Sequence, residues 1–277
     1  MFVGIEKKKL KNQCYFYLYN AMKVAIIGCG WLGLPLAKEL ANNSFTILGS
    51  LRDERRFSEL KNANIEPFIY GAGNNSELPQ NVKIADWVII CFPPKGSHEY
   101  AKEIKIIAEQ LKETVKIIFT SSTGVYQNTD STLNEEAQII PDHIVYMAEE
   151  VIRHSGKSNV ILRLAGLIGP NRHPVRFLSG REIDNGEHPV NLIQLTDIIE
   201  AVKTIIAANK INVTYNICAP EHPSKKTYYL KIAEEMELVP PIFNSKTESK
   251  GKLIDGSKIT KELNFNYKVS IYSISKD

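Results

Sequence analysis

The sequence predicts an α/β fold, a doubly wound parallel sheet of Rossmann type with a small C-terminal α+β substrate lobe. Three observations carry that prediction. Strand-like and helix-like segments alternate along the chain; the runs at 23–27 and 86–92 are continuously apolar after their first, charged residue, as in a sheet covered on both faces; and the first run empties into a glycine-punctuated turn that opens a helix. The 277 residues suffice for one α/β core and a lobe, and 43 % apolar with 23 % charged residues is an ordinary globular composition. The boundaries read as a mobile N-terminal extension at 1–21, a nucleotide-binding domain at 22–170 and a lobe at 171–277 interleaved with the sheet.

The opening strand Lys23-Val24-Ala25-Ile26-Ile27 runs into Gly28-Cys29-Gly30-Trp31-Leu32-Gly33. Gly28 suits a tight turn, Gly30 a close approach of backbone to a pyrophosphate, and Gly33 the packing of the next helix on the sheet. The helix N-terminus at Trp31 and Leu32 offers amide N–H groups to phosphate, and Pro35 falls in its first turn, where a missing N–H costs little. The turn is therefore read as a dinucleotide site.

A second strand at 45–50 ends in Ser50-Leu51-Arg52, where an acidic residue would accept from a ribose 2′-hydroxyl. Ser50 and Arg52 suit a 2′-phosphate instead, so the cofactor is read as NADP, with NAD the alternative. Pro67 puts a third strand, 65–70, at an edge. The fourth, 86–92, stops at Pro93-Pro94, and Phe92 and Pro93 are expected beside the cofactor. A helix over 99–112 leads to a fifth strand at 115–119, which delivers Thr120-Ser121-Ser122-Thr123-Gly124-Val125-Tyr126, a run of hydroxyls at the strand end where ligands of such sheets bind.

Phe119 to Tyr126 resembles the Ser-Ser-x-x-Val-Tyr segment of the extended short-chain dehydrogenase/reductases, the NAD-dependent epimerase/dehydratase family. Val160 to Pro170, Val190 to Ile198 and Tyr215 to Cys218 resemble further marks of that family in the same order. The resemblance implies that Ser122 is the catalytic hydroxyl that binds a substrate oxygen, with Thr123 beside it. The family's Tyr-x-x-x-Lys pair is absent: Tyr146 is followed four residues later by Glu150. A carboxylate there raises a phenol's pKa, whereas the lysine would lower it. The proton carrier is thus open among Tyr146, His173 and His188.

The loop Gly169 to Phe177 holds Arg172, His173 and Arg176, a cluster suited to phosphate or carboxylate on a substrate. His188 and Asn191 are placed at the substrate by the resemblance, and Thr196 or Asp197 is expected to cap the helix at 196–208. The lysines of 250–258 either close over the site or form a solvated tail.

Lys7, Lys8, Lys9 and Lys11 against Glu6 account for the whole net charge of +3. The balanced remainder gives no support for a nucleic-acid or membrane partner. Cys14, Cys29, Cys91 and Cys218 lack metal or redox spacing, no metal is expected, and a cytoplasmic setting fits. The function read from all this is an NAD(P)-dependent oxidoreductase or epimerase/dehydratase-like enzyme acting on a hydroxyl or keto carbon of a small molecule, with a phosphorylated or nucleotide-linked sugar as the candidate substrate. The alternative is a nucleotide-binding sensor without catalysis. A homodimer through the helices near 99–112 and 142–154 is expected by analogy.

Overall fold

The computed structural model describes residues 22–43, 45–71, 77–94, 99–244 and 251–274. The extension at 1–21, and Lys250 of the C-terminal lysine run, lie outside them. The strands are β1 (Lys23–Ile27), β2 (Thr46–Leu51), β3 (Ile65–Ile69), β4 (Trp87–Ile90), β5 (Lys116–Ser122), β6 (Thr132–Leu133), β7 (Asn159–Leu164), β8 (Gly166–Ile168), β9 (Glu182–Ile183), β10 (Leu192–Gln194), β11 (Val213–Ile217), β12 (Ile242–Phe243) and β13 (Leu253–Ile254). The seven-stranded sheet has the order β11-β7-β5-β4-β1-β2-β3, the doubly wound arrangement that the alternating pattern predicts.

The chain divides into two compact units, Met1–Phe92 with Ile106–Ile117, and Pro93–Lys105 with Ile118–Asp277. In the first unit β1 lies between β2 and β4, parallel to both, with Ala25 opposite Leu48 and Val88. Val24 to Ile27 and Trp87 to Ile90 are fully buried, so two-sided coverage accounts for their unbroken apolar runs. Pro67 sits on the edge strand β3, where a missing N–H breaks no ladder. The sheet order reverses between β1 and β4, the place where such folds leave a crevice at the strand ends.

The second unit pairs β7 with β11 in parallel and adds three small ladders, β8 with β10, β6 with β13 and β9 with β12. Its satellite core joins Ile168, Val175, Leu192, Tyr228, Ile232 and Ile271. The helix Leu195–Ala207 corrects one expectation: Gln194 stands at its N-cap with no side-chain cap. Asp197 is buried and turns to the C-terminal segment, accepting the N–H groups of Lys268 at 3.1 Å and Val269 at 3.3 Å. Gln194 donates to the carbonyls of Ser270 and Ser273, so both residues tie down the tail instead of the helix end.

Candidate active site

In the first unit the three glycines do different work. Gly28 has φ +107°, and a side chain there would meet the Phe92 N at 3.0 Å, so the turn and the end of β4 are in backbone contact. A Cβ on Gly33 would overlap the Gly28 carbonyl oxygen. Gly30 has neither constraint: its φ is not positive, and no atom lies within 4 Å of the place its Cβ would take. The helix Gly33–Asn42 starts at Leu32 without a side-chain cap or an acidic residue in its first turn. Leu34 gives its N–H to the Gly30 carbonyl at 3.1 Å and Pro35 has none, so the amides of Leu32 and Gly33 are the ones that fit a dinucleotide pyrophosphate beside Gly30.

Ser50 is 2 % exposed and supports this turn from behind. Its hydroxyl accepts the Gly28 N–H at 2.8 Å and its carbonyl the Cys29 N–H at 3.1 Å. The expected contact of Ser50 with a 2′-phosphate therefore has to compete with its place under the loop. Arg52, just past β2, is exposed, whereas Arg55 is tied to Asp53 at 2.6 Å. Trp31 is half-buried on the turn, and the chain leaves β4 through half-buried Phe92 and exposed Pro93. Burial pushes the thiols of Cys29 and Cys218 up to about 12, as inert cysteines require.

In the second unit β5 runs on to Ser122, and a single turn of 3₁₀ helix, Thr123–Val125, follows. Ser122 is half-buried, and its Oγ accepts the Gly124 N–H at 3.0 Å; Thr123 is buried beside it. Beneath them lies a buried polar network that sequence reasoning missed. Ser121 donates its hydroxyl to Glu149, which is fully buried on the helix Ile144–Arg153. Arg163 on β7 pairs with Glu149 at 2.8 Å and donates to the Tyr126 hydroxyl at 2.9 Å, and Tyr126 donates to Asn216 Oδ1 at 2.6 Å. The signal was available: Arg163 interrupts an otherwise apolar strand, and a charge in that position demands a partner.

Tyr146 lies half-buried on the same helix. Burial and then the hydrogen-bonded Glu150 raise its phenol above the ordinary value, the direction expected from a carboxylate four residues on. His173 has no nitrogen left for proton transfer. Nδ1 accepts the Val175 N–H at 3.2 Å as the cap of helix Pro174–Leu178, and Nε2 meets the Tyr228 hydroxyl at 2.9 Å, which in turn donates to the Ile271 carbonyl. Burial, with Arg176 adding to it, lowers this imidazole from 6.5 to about 4.

The unfolded chain therefore takes up a proton between these values that the folded chain refuses. Stability contributed by the neutral ring is complete above pH 6.5 and is lost as pH falls through 4. Urea midpoints at pH 7 and pH 5 should fall further for the parent than for His173→Asn, which keeps a cap acceptor; equal falls would contradict this assignment.

Arg172 is exposed just before the helix Pro174–Leu178 and Arg176 is exposed on it. Asn191 uses both ends of its amide on the segment 252–254, donating to the Lys252 carbonyl at 2.9 Å and accepting the Ile254 N–H at 2.8 Å. It is a clamp on that strap. The His188 ring lies against Gly251, where a Cβ would sit 2.7 Å from its Cγ. The strap closes on the hydroxyl turn and is no solvated tail: Lys252 donates to the carbonyls of Tyr126 at 3.0 Å and Thr123 at 3.4 Å, and burial lowers its pKa. Among the described residues no cluster of three or more acidic, histidine or cysteine side chains could hold a metal ion, and no helix is long and apolar enough to cross a membrane.

Residues 28–207 match the family model described as NAD(P)H-binding. The protein YeeZ of Escherichia coli (strain K12) is 36 % identical over 261 residues, covering 88 % of this chain and 95 % of that one. UDP-glucuronic acid 4-epimerase from Bacillus cereus, solved in complex with NAD, superposes with a TM-score of 0.74 at 19 % identity, over 91 % of this chain and 95 % of that one. The dTDP-glucose 4,6-dehydratase of Bacillus anthracis, also with NAD, gives 0.75 at 12 % identity, over 91 % and 93 %. At these identities the two solved structures share the fold.

Proposed function

The chain belongs to the NAD(P)H-binding family, and we propose that it is an NADP-dependent oxidoreductase or epimerase/dehydratase-type enzyme acting on an oxygen-bearing carbon of a small molecule, with a nucleotide-linked sugar as the favoured class. The observation that carries this reading is Gly30. Neither backbone conformation nor a neighbouring atom requires glycine there, and a pyrophosphate against the backbone supplies the reason. When bound, the nicotinamide exchanges hydride with the reacting carbon. Ser122 holds the oxygen on that carbon: its Oγ accepts the Gly124 N–H, and its own proton is left to donate. The sugar-nucleotide class is supported by Arg172 and Arg176, which suit a diphosphate, and by the substrates named for the two solved relatives in fold.

The preference for NADP rests on Arg52 and is tested there. Arg52→Glu should weaken NADPH binding about tenfold or more, the loss of a charge-assisted hydrogen bond worth roughly 1.5–3 kcal/mol, and leave NADH binding equal or better. Titration by nicotinamide fluorescence reads both, and absence of binding to either dinucleotide by the parent would end the enzyme reading. The carboxylate partner of Tyr146 favours one rival, a sensor that binds the dinucleotide without turnover. Substrate-dependent NADPH oxidation by the parent excludes that rival.

A further inference from the structure

The second unit holds one more side chain with a free donor at the hydroxyl turn. His143 caps the helix Ile144–Arg153 through Nδ1, which accepts the Val145 N–H at 3.3 Å. With the acceptor role assigned to Nδ1, the ring carries its proton on Nε2. That Nε2 lies 3.6 Å from the place a Gly124 Cβ would occupy, and the Ser122 Oγ lies 3.2 Å from the same place. Both groups are alike in their bonding. Each has its acceptor side filled by a backbone amide, Gly124 N–H for the serine and Val145 N–H for the histidine, and among the described residues neither donor proton has a partner.

Gly124 is exposed and its φ is not positive, so the chain does not need glycine for its conformation. What glycine leaves is a notch, the open face over its Cα, flanked by two hydrogen-bond donors; a substrate oxygen there stands farther from Cα than a bonded Cβ would. We propose that this notch receives the substrate's carbonyl or alkoxide oxygen, with His143 Nε2–H as the second donor beside Ser122. The inference rests on the enzyme reading above.

The chemistry suits a donor. With Nδ1 accepting from the Val145 N–H, the Nε2–H is the group that polarises a C=O or steadies a C–O⁻. A neutral imidazole at a helix N-terminus is a known device for such polarisation. The Lys252 ammonium, bound to the carbonyls of Thr123 and Tyr126 on either side of Gly124 and Val125, adds positive potential to the same turn. Pre-set donors and fixed charge of this kind favour a developing oxyanion more than a ground-state carbonyl.

Three variants of the full chain test the notch. His143→Asn keeps an oxygen for the Val145 N–H and removes the Nε2–H; Gly124→Ala fills the notch with a methyl group; Ser122→Ala removes the other donor. Thermal midpoint and NADPH binding should stay near the parent's in all three. NADPH-dependent reduction of nitrobenzaldehyde and phenanthrenequinone should fall about a hundredfold or more in each. Turnover within threefold of the parent in both His143→Asn and Gly124→Ala overturns the inference. A parent that fails to bind NADPH defeats the enzyme reading instead. Should it bind NADPH and reduce neither probe, long-range ¹H–¹⁵N spectra of the imidazoles decide: a neutral His143 ring protonated on Nε2 supports the notch, and one protonated on Nδ1 overturns it.

Discussion

Gly33→Ala should cost the chain on the order of 4 kcal/mol, enough to lower its thermal midpoint by roughly 10 °C, while Gly30→Ala changes stability by about 0.5 kcal/mol or less. The two glycines sit three residues apart in one turn, and composition alone gives no reason to separate them. The added methyl at 33 overlaps the Gly28 carbonyl, a backbone group that already accepts the Gly30 N–H at 2.8 Å, and the nearest side-chain atom is Ile26 Cγ2 at 3.2 Å. Relief requires the helix Gly33–Asn42 to move off the sheet, and with it buried Leu34, Leu36, Ala37 and Leu40. At Gly30 the methyl meets nothing of the protein. Its cost appears only with ligand, as a loss of about tenfold or more in NADPH affinity. Urea melts and fluorescence titrations of the two variants check the contrast, and equal destabilisation by both would contradict it.

That contrast also marks what the sequence could say. The strand, the glycine turn and the edge position of Pro67 were legible because each follows from backbone rules acting over a few residues. The absence of a lysine after Tyr146 was legible too, and the phenol is raised first by burial and then by Glu150 on the next turn of the same helix. The Ser50 hydroxyl was placed near the dinucleotide, but its burial under Gly28 depends on the register of β2 against β1, which no local pattern encodes. Asp197 looked like a cap because it opens a helix; its choice of the Lys268 and Val269 amides depends on where the C-terminal segment returns. Asn191 and Lys252 lie 61 residues apart along the chain, and His143 lies 19 residues beyond Gly124, so their meetings are products of topology.

The second unit's hydroxyl turn is held by charge as well as by sheet. Ser121, next to the donor Ser122, gives its hydroxyl to Glu149, so the end of β5 and the helix that carries His143 share one buried carboxylate. The same carboxylate reaches Arg153 at 3.2 Å and Arg163 at 2.8 Å. The two ion pairs are unequal: the Arg163 side chain is 3 % exposed, and that of Arg153 is 32 % exposed. A half-exposed pair is screened by water and contributes little, about 1 kcal/mol at most.

Glu149→Ala should therefore destabilise the chain by roughly 3–5 kcal/mol, because it strands the Arg163 guanidinium in the interior. Arg153→Ala should lie near the surface value. The double variant Glu149→Leu with Arg163→Met removes both charges and should recover part of the loss, since an apolar pair of similar volume replaces a desolvated ion pair at little or no net cost. Recovery is incomplete, for Arg163 also holds the Tyr126 hydroxyl at 2.9 Å and the Glu135 carbonyl at 3.2 Å, and those groups lose a donor. Urea denaturation of these proteins, with the single variants Glu149→Leu and Arg163→Met completing the cycle, gives the coupling directly. A double variant no better than Glu149→Ala would mean that the hydrogen bonds to Ser121 and Tyr126, and not the paired charges, keep the end of β5 in place.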